Sequence, residues 1–164
     1  MPFIGIIADE KKEKIIRREL VHELKLKESL VLDINEKNIE NIKNVKFETI
    51  IIDRKFKNIE KLKKILAEAI YVVINTDIIK NLNILENLEL TVITYGFNSK
   101  ATITASSVTE ESSLICLQRT IENIHSQKIE MQEIKIEDIN DINLSMIIVA
   151  IMLIYKNNQH KNIK

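Results

Sequence analysis

Residues 48–75 read ETIIIDRKFKNIEKLKKILAEAIYVVIN, and this stretch decides the fold. Its two ends, Glu48–Asp53 and Ala69–Asn75, are short apolar runs, which are typical of strands buried on both faces. Between them, the apolar residues of Ile59–Glu68 fall on one face at helical spacing. A strand, a helix and a strand in this order predict a right-handed crossover between two parallel strands.

The same alternation continues in both directions along the chain. We predict further strands at Phe3–Ala8, Ser29–Ile34 and Leu90–Gly96, and helices at Lys11–Glu28 and Ile78–Leu88. Strands that alternate with helices predict a doubly wound, mainly parallel five-stranded α/β sheet with helices on both faces. Numbered along the chain, the five strands are expected in the spatial order 3-2-1-4-5 or a close variant of it.

The pattern changes near residue 100. Ala101–Val108, Ser113–Leu117 and Ile129–Ile136 are strand-like, and the segments between them are too short for long helices. They predict a C-terminal antiparallel β extension of the sheet. Asn143–Tyr155 is strongly apolar and is predicted to be the helix that closes the fold.

Two sets of residues give more detailed expectations. Ile6, Ile51, Val73 and Ile93 lie at the centres of predicted strands, so we expect them to be fully buried. Gly96 follows a strand, where it would supply the positive φ of a turn.

Length and charge limit the function classes. The chain has 164 residues, with 24 basic and 24 acidic side chains. This length predicts one domain, covering residues 1–156, followed by a polar tail at 157–164. Balanced charge gives no electrostatic reason to expect a nucleic acid partner. We expect no membrane attachment, because the apolar run Ile147–Tyr155 is shorter than the ~20 residues of a bilayer span. No targeting segment is visible, so a cytoplasmic location is expected.

Residues that commonly carry catalysis are sparse. His22, His125 and His160 are scattered, with no pair at the spacing of metal ligands. The single cysteine, Cys116, lies in an alternating apolar run that favours an inert, buried thiol. No serine stands in a G-x-S-x-G motif. We therefore predict no catalytic residue and no metal site.

Polar residues at the ends of the predicted strands allow two interpretations. Asp33, Asp53 and Asp77 could form a cation site at the carboxyl edge of the sheet, or simply mark where strands leave the core. Asn75 and Asn143 could recognise the edge of a base, or form turns and helix caps. The second interpretation is favoured in both cases. No partner hydroxyl or phosphate cradle accompanies the aspartates, and asparagine commonly forms turns and caps.

One block of sequence resembles a known family. Leu90–Val108 reads LTVITYGFNSKATITASSV, and Val72–Asp77 reads VVINTD. The two blocks resemble the strand ending in T-Y-G and the V-V-x-N-x-D-D segment in the central domain of Mur ligases, the ATP-dependent amino-acid-adding enzymes of peptidoglycan synthesis. Ile142–Ile151 is similar to the start of the helix that ends that domain. The resemblance implies a site near the adenosine at Asn75 and Asp77.

The departures from that family concern the phosphate loop. Ile4–Glu13 stands in its place, but Ala8 and Lys11 replace glycines that would let backbone N–H groups approach phosphate oxygens. Glu13 replaces the Ser or Thr that would hold magnesium, and only Lys12 remains. ATP and magnesium binding are therefore disfavoured, and no cofactor is expected.

The resemblance leaves Lys12, Asn75, Asp77 and Asn143 as the vestige of a nucleotide site. The UDP-binding and amino-acid-binding domains of the family are absent from the sequence. We expect a non-catalytic Mur-ligase-like domain that acts as an interaction or regulatory protein, linked by ancestry to cell-wall metabolism. A small nucleotide- or metabolite-binding protein is the alternative, and an active ligase is less favoured. Faces without their covering domains would suit a homodimer or another protein partner.

Overall fold

A computed structural model describes residues 3–137 and 141–155 of the protein; the predicted polar tail, 157–164, lies outside the described residues. In chain order, the helices and strands are β1 (Phe3–Ile7), α1 (Glu10–Leu24), β2 (Val31–Asp33), β3 (Phe47–Ile52), α2 (Ile59–Leu66), β4 (Tyr71–Asn75), β5 (Thr91–Tyr95), β6 (Ile103–Val108), β7 (Ser112–Leu117), β8 (Ile121–Glu122), β9 (Lys128–Ile129), β10 (Gln132–Glu137) and α3 (Ile142–Tyr155). Short 3₁₀ turns cover Glu28–Leu30 and Asn83–Leu85.

Eight strands form one sheet in the order β10-β7-β6-β5-β4-β3-β1-β2, and β8 pairs with β9 as a separate ribbon. Strands β1 to β5 are mutually parallel, and β6 runs parallel to β5, whereas β7 runs antiparallel to both of its neighbours, β6 and β10. The predicted mainly parallel α/β sheet with an antiparallel extension is confirmed. The predicted number of five strands is wrong, because β6 pairs with β5 through Tyr95 and Ile103 and so joins the extension to the same sheet.

The predicted strand order 3-2-1-4-5 is also wrong. The structure places β1 between β2 and β3, so that the five parallel strands have the order 2-1-3-4-5. Ile4 pairs with Val31 on one side and with Thr49 on the other. Buried apolar strands resemble one another in sequence, so local pattern does not distinguish these neighbours.

Helices cover both faces of the sheet, as predicted. α1 and α3 pack on one face through buried residues that include Ile16, Leu20, Ile147 and Ile151. α2 packs on the other face, with Leu62, Ile65 and Leu66 buried. The residues predicted to be fully buried, which are Ile6, Ile51, Val73 and Ile93, have no exposed surface. Among the described residues, no helix is long and apolar enough to cross a membrane.

The helix predicted at Ile78–Leu88 does not form, and the segment contains only the 3₁₀ turn at Asn83–Leu85. The side chain of Asn75 accepts hydrogen bonds from the backbone N–H groups of Asp77 and Ile78, at 3.0 and 3.3 Å. Asn87 adopts a positive φ of 61°. The Asn75 bonds cap one turn, but the Asn81 side chain then accepts a hydrogen bond from the Asn83 backbone N–H at 2.8 Å. Such side-chain bonds within the segment compete with helical hydrogen bonds, and this explains why the apolar spacing was misleading here.

Candidate functional site

The strand order creates a topological switch point at the carboxyl ends of β1 and β3. The chain leaves β1 through α1 on one face of the sheet and leaves β3 through α2 on the other. These two connections therefore diverge between neighbouring strands. Ligands of open α/β sheets bind at such a switch point, so a binding site is expected here.

An ion pair occupies the switch point. Lys12, in the first turn of α1, places its Nζ 2.6 Å from Oδ2 of Asp53, which directly follows β3. The Asp53 side chain is 3% exposed and that of Lys12 is 24% exposed. The Asp53 backbone N–H donates to the carbonyl oxygen of Ile7 at 2.8 Å, which fixes this aspartate beside the end of β1.

The other carboxylate oxygen of Asp53 is held by the next two strands. Asn75 Nδ2 donates to Asp53 Oδ1 at 3.0 Å, and the Tyr95 hydroxyl donates to the same oxygen. Asn75 and Tyr95 are register partners at the ends of β4 and β5, and both are buried. Burial, and then the charge of Asp53, hold the pKa of Tyr95 well above its usual value, so the phenol stays protonated. Lys12, Asp53, Asn75 and Tyr95 together form the switch-point cluster.

The connection from β1 to α1 is short. Only Ala8 and Asp9 separate the strand from the helix, so few backbone N–H groups are available to surround a phosphate. Gly5 lies inside β1, where a Cβ atom would clash with the side chain of Ile34 and sit 3.0 Å from Cδ1 of Phe47. Its role is therefore close strand packing. Glu13 is 5% exposed, and its Oε1 lies 2.5 Å from Nη2 of Arg17.

Asp77 closes the turn that follows β5. Its Oδ2 accepts a hydrogen bond from the Phe97 backbone N–H at 2.7 Å, and its Oδ1 accepts one from Asn98 Nδ2 at 3.1 Å. Gly96 has a φ of 152°, so its predicted positive φ is confirmed. A Cβ atom at Gly96 would lie 2.7 Å from Asp77 Oδ1, and the close approach of Asp77 therefore requires glycine.

The remaining strand-end residues are held in separate turns. The Asp33 carboxylate accepts a hydrogen bond from the Asn35 side chain. Asn143 lies in the first turn of α3, where its backbone N–H donates to Asp141 Oδ1 at 2.9 Å. Within the described ranges, no three His, Cys, Asp or Glu side chains are grouped to hold a metal ion. The structure therefore brings Lys12, Asn75 and Asp53 together, but gives Asp33 and Asp77 other partners.

A second ion pair, which the sequence did not indicate, covers the end of β1. Arg54 donates through Nη1 and Nη2 to the two carboxylate oxygens of Glu36, at 3.0 and 2.8 Å, and through Nε to the Ala8 carbonyl oxygen at 3.2 Å. The hydrogen bonds from Arg54 lower the pKa of Glu36 to about 2. These two residues are eighteen positions apart and belong to no motif, so only the fold reveals the pair.

A groove of about 800 Å³ runs beside the switch-point cluster, between α1 and α3. Apolar side chains that include Ile15, Ile148 and Met152 line it. Charged residues of both signs also line it; these are Asp9, Lys11, Lys12, Arg18, Glu19, Glu23, Glu137 and Asp141. This groove is large enough for a small ligand, and Lys12 forms part of its lining.

Comparison with known proteins adds no family to this description. No family model matches the chain, and no curated protein matches it in sequence.

Proposed function

We propose that this chain is a non-catalytic α/β domain, a degenerate relative of the Mur ligase central domain that works through protein contacts. The observation that carries the proposal is the ion pair between Lys12 and the buried Asp53. Lys12 is the residue that the resemblance assigns to the phosphates of ATP. Here its ammonium group already neutralises a carboxylate of the same chain.

Recruiting Lys12 to a phosphate would have a large cost. Asp53 would keep only the neutral donors Asn75 and Tyr95, and breaking a buried ion pair by removing one partner costs about 3–5 kcal/mol. The phosphate charge would also approach the Asp53 carboxylate. The short Ala8–Asp9 connection offers few amide groups in return. These terms together oppose ATP binding.

A role in protein contacts fits a chain that keeps a packed core but lacks the phosphate loop. Buried apolar clusters pack on both faces of the sheet, whereas charged residues stand where the Mur ligases have their phosphate loop. By resemblance, the partners would belong to cytoplasmic peptidoglycan synthesis. The chain would then act as an interaction or regulatory protein of that pathway.

A thermal-shift experiment tests the proposal. Millimolar Mg-ATP should leave the melting temperature of the wild-type chain unchanged, because a ligand at 100 times its dissociation constant would add about 2.7 kcal/mol and raise it by several degrees. Lys12→Ala should behave like wild type towards ATP. Lys14→Ala is the matched control, since Lys14 pairs with the exposed Glu10 in the same helix. A clear ATP-induced rise in wild type that disappears in Lys12→Ala alone would contradict the proposal.

The groove between α1 and α3 favours one second candidate, a metabolite-binding protein. Its apolar lining and mixed charges suit a small molecule that carries both charge signs. Ser145→Trp would place a large side chain in the groove. If this second function holds, nucleosides or amino acids that raise the melting temperature of wild type should no longer raise that of the variant.

A further inference from the structure

The two edges of the sheet differ in how they are protected. The β2 edge has only three residues, and the Asp33 carbonyl oxygen accepts a hydrogen bond from Asn38 Nδ2 at 2.7 Å. The β10 edge has six residues. β10 pairs with β7 on one side, and within residues 3–137 and 141–155 no strand lies on its other side. A long unpaired edge is a template for pairing with another strand.

Side chains alternate along β10. Ile134 and Ile136 are half-buried and pack against the core beneath α1 and α3. Glu133, Lys135 and Glu137 are exposed on the opposite face. The free edge therefore carries a row of acidic, basic and acidic side chains, flanked on the other face by two isoleucines.

We propose that two copies of this chain pair through their β10 strands, antiparallel, about a two-fold axis that passes through Ile134. Antiparallel strands related by a two-fold axis place side chains of the same face opposite each other. With Ile134 at the centre, Glu133 of each copy lies opposite Lys135 of the other. The dimer thus gains two cross-strand pairs of opposite charge.

Charge selects this register over its neighbours. Centring the axis on Lys135 would oppose the two lysines and place Glu133 against Glu137. Centring it on Glu133 would oppose two glutamates. Like charges directly opposite each other destabilise strand pairing. The Ile134 register also keeps every opposed residue within 131–137, all of which are described.

Pairing in this register would bury the backbone groups and the Ile134 side chain at the unpaired β10 edge. The backbone N–H and C=O groups of the free edge would complete a ladder that runs through both sheets. The two Ile134 side chains would meet at the axis, on the face that α1 and α3 already cover. This dimer goes beyond the proposed function and does not depend on it, because pairing through the β10 backbone uses none of the four side chains of the switch-point cluster. The end of β10, at Ile136 and Glu137, does line the same groove as Lys12.

Sedimentation equilibrium of the full chain, from about 1 to 100 μM at low salt, tests the proposal. Wild type should be a dimer at the upper concentrations. Lys135→Glu and Glu133→Lys should each weaken the dimer dissociation constant at least about tenfold, since every dimer loses two attractive pairs and gains two repulsive ones. The double variant Glu133→Lys/Lys135→Glu restores opposite charges and should recover the wild-type constant within about threefold.

Glu137→Lys is the matched control on the same strand. In the Ile134 register this residue lies opposite Met131, and its charge reversal disturbs only the exposed contact with Lys135 of its own chain, at 3.2 Å, so the dissociation constant should change by less than about threefold. Circular dichroism and melting temperature show whether each variant is folded. A wild-type chain that is monomeric at 100 μM overturns the proposal, as does a dimer that tolerates Lys135→Glu. Two results overturn the register. One is a double variant that dimerises as weakly as the single variants, and the other is a Glu137→Lys variant whose dimer is weakened as much as theirs.

Discussion

Replacing Lys12 with methionine should destabilise the protein markedly. Methionine keeps most of the length of the lysine side chain but leaves Asp53, whose side chain is 3% exposed, without its cation. Loss of one partner from a buried ion pair costs about 3–5 kcal/mol. Lys12 itself is 24% exposed, so water lies close to the pair and we expect a loss near the lower end, about 3 kcal/mol. Urea unfolding at pH 7 measures it.

A second substitution should relieve this loss. Asp53→Asn removes the buried charge but keeps an oxygen that can accept the hydrogen bond from Tyr95. The double variant Lys12→Met/Asp53→Asn should therefore be more stable than Lys12→Met alone, by about 1–3 kcal/mol. Lys14→Met, which removes an ion pair with the exposed Glu10, should leave the free energy of unfolding nearly unchanged. A loss below 1 kcal/mol for Lys12→Met, or no recovery in the double variant, would refute the reasoning.

Two further predictions concern the core and the acid range. Ile51 is fully buried at the centre of the sheet, so Ile51→Ala should lower the free energy of unfolding by about 2–5 kcal/mol; a loss under half a kilocalorie would mean that β3 is misplaced. The pKa of Glu36 is lowered from 4.5 to about 2, so its pairing with Arg54 stabilises the fold above pH 4.5 and is lost as the pH falls towards 2. After a discount for solvent exposure, the pair contributes about 1–2 kcal/mol to the free energy of unfolding. The stability gap between wild type and Glu36→Gln, measured by urea unfolding, should shrink over that range; a gap that is constant with pH would contradict the assignment.

The strands were predictable because burial on both faces demands continuous apolar runs. Glu48–Asp53 and Ala69–Asn75 are such runs, and they alternate with amphipathic segments, a pattern typical of buried parallel strands. The helix prediction at Ile78–Leu88 was wrong because it weighed apolar spacing above the asparagines inside the segment, and the side chain of one of them, Asn81, binds the local backbone at Asn83. The spacing of apolar residues predicts which face is buried, but side-chain hydrogen bonds to the backbone decide whether the segment becomes a helix.

The switch-point cluster was predictable only in part. Asp53, Asn75 and Tyr95 fall at strand ends, and Lys12 lies in the first turn of the helix that follows β1, so the sequence places each of them near the carboxyl edge. Their contact depends on β1 lying directly beside β3, which the expected order 3-2-1-4-5 excluded. No sequence pattern indicates that Tyr95 donates to Asp53, a residue 42 positions away. Long-range strand order, rather than any local motif, creates this site.

Isothermal titration of Mg-ATP into the wild-type chain tests most directly whether Lys12, held by Asp53 at the switch point, is unavailable to a nucleotide. We predict no binding tighter than the millimolar range, because Lys12 is held by Asp53 and the Ala8–Asp9 connection offers few amides to a phosphate. A micromolar dissociation constant that is lost in Lys12→Ala would show that Lys12 leaves Asp53 to bind nucleotide, and would contradict the account.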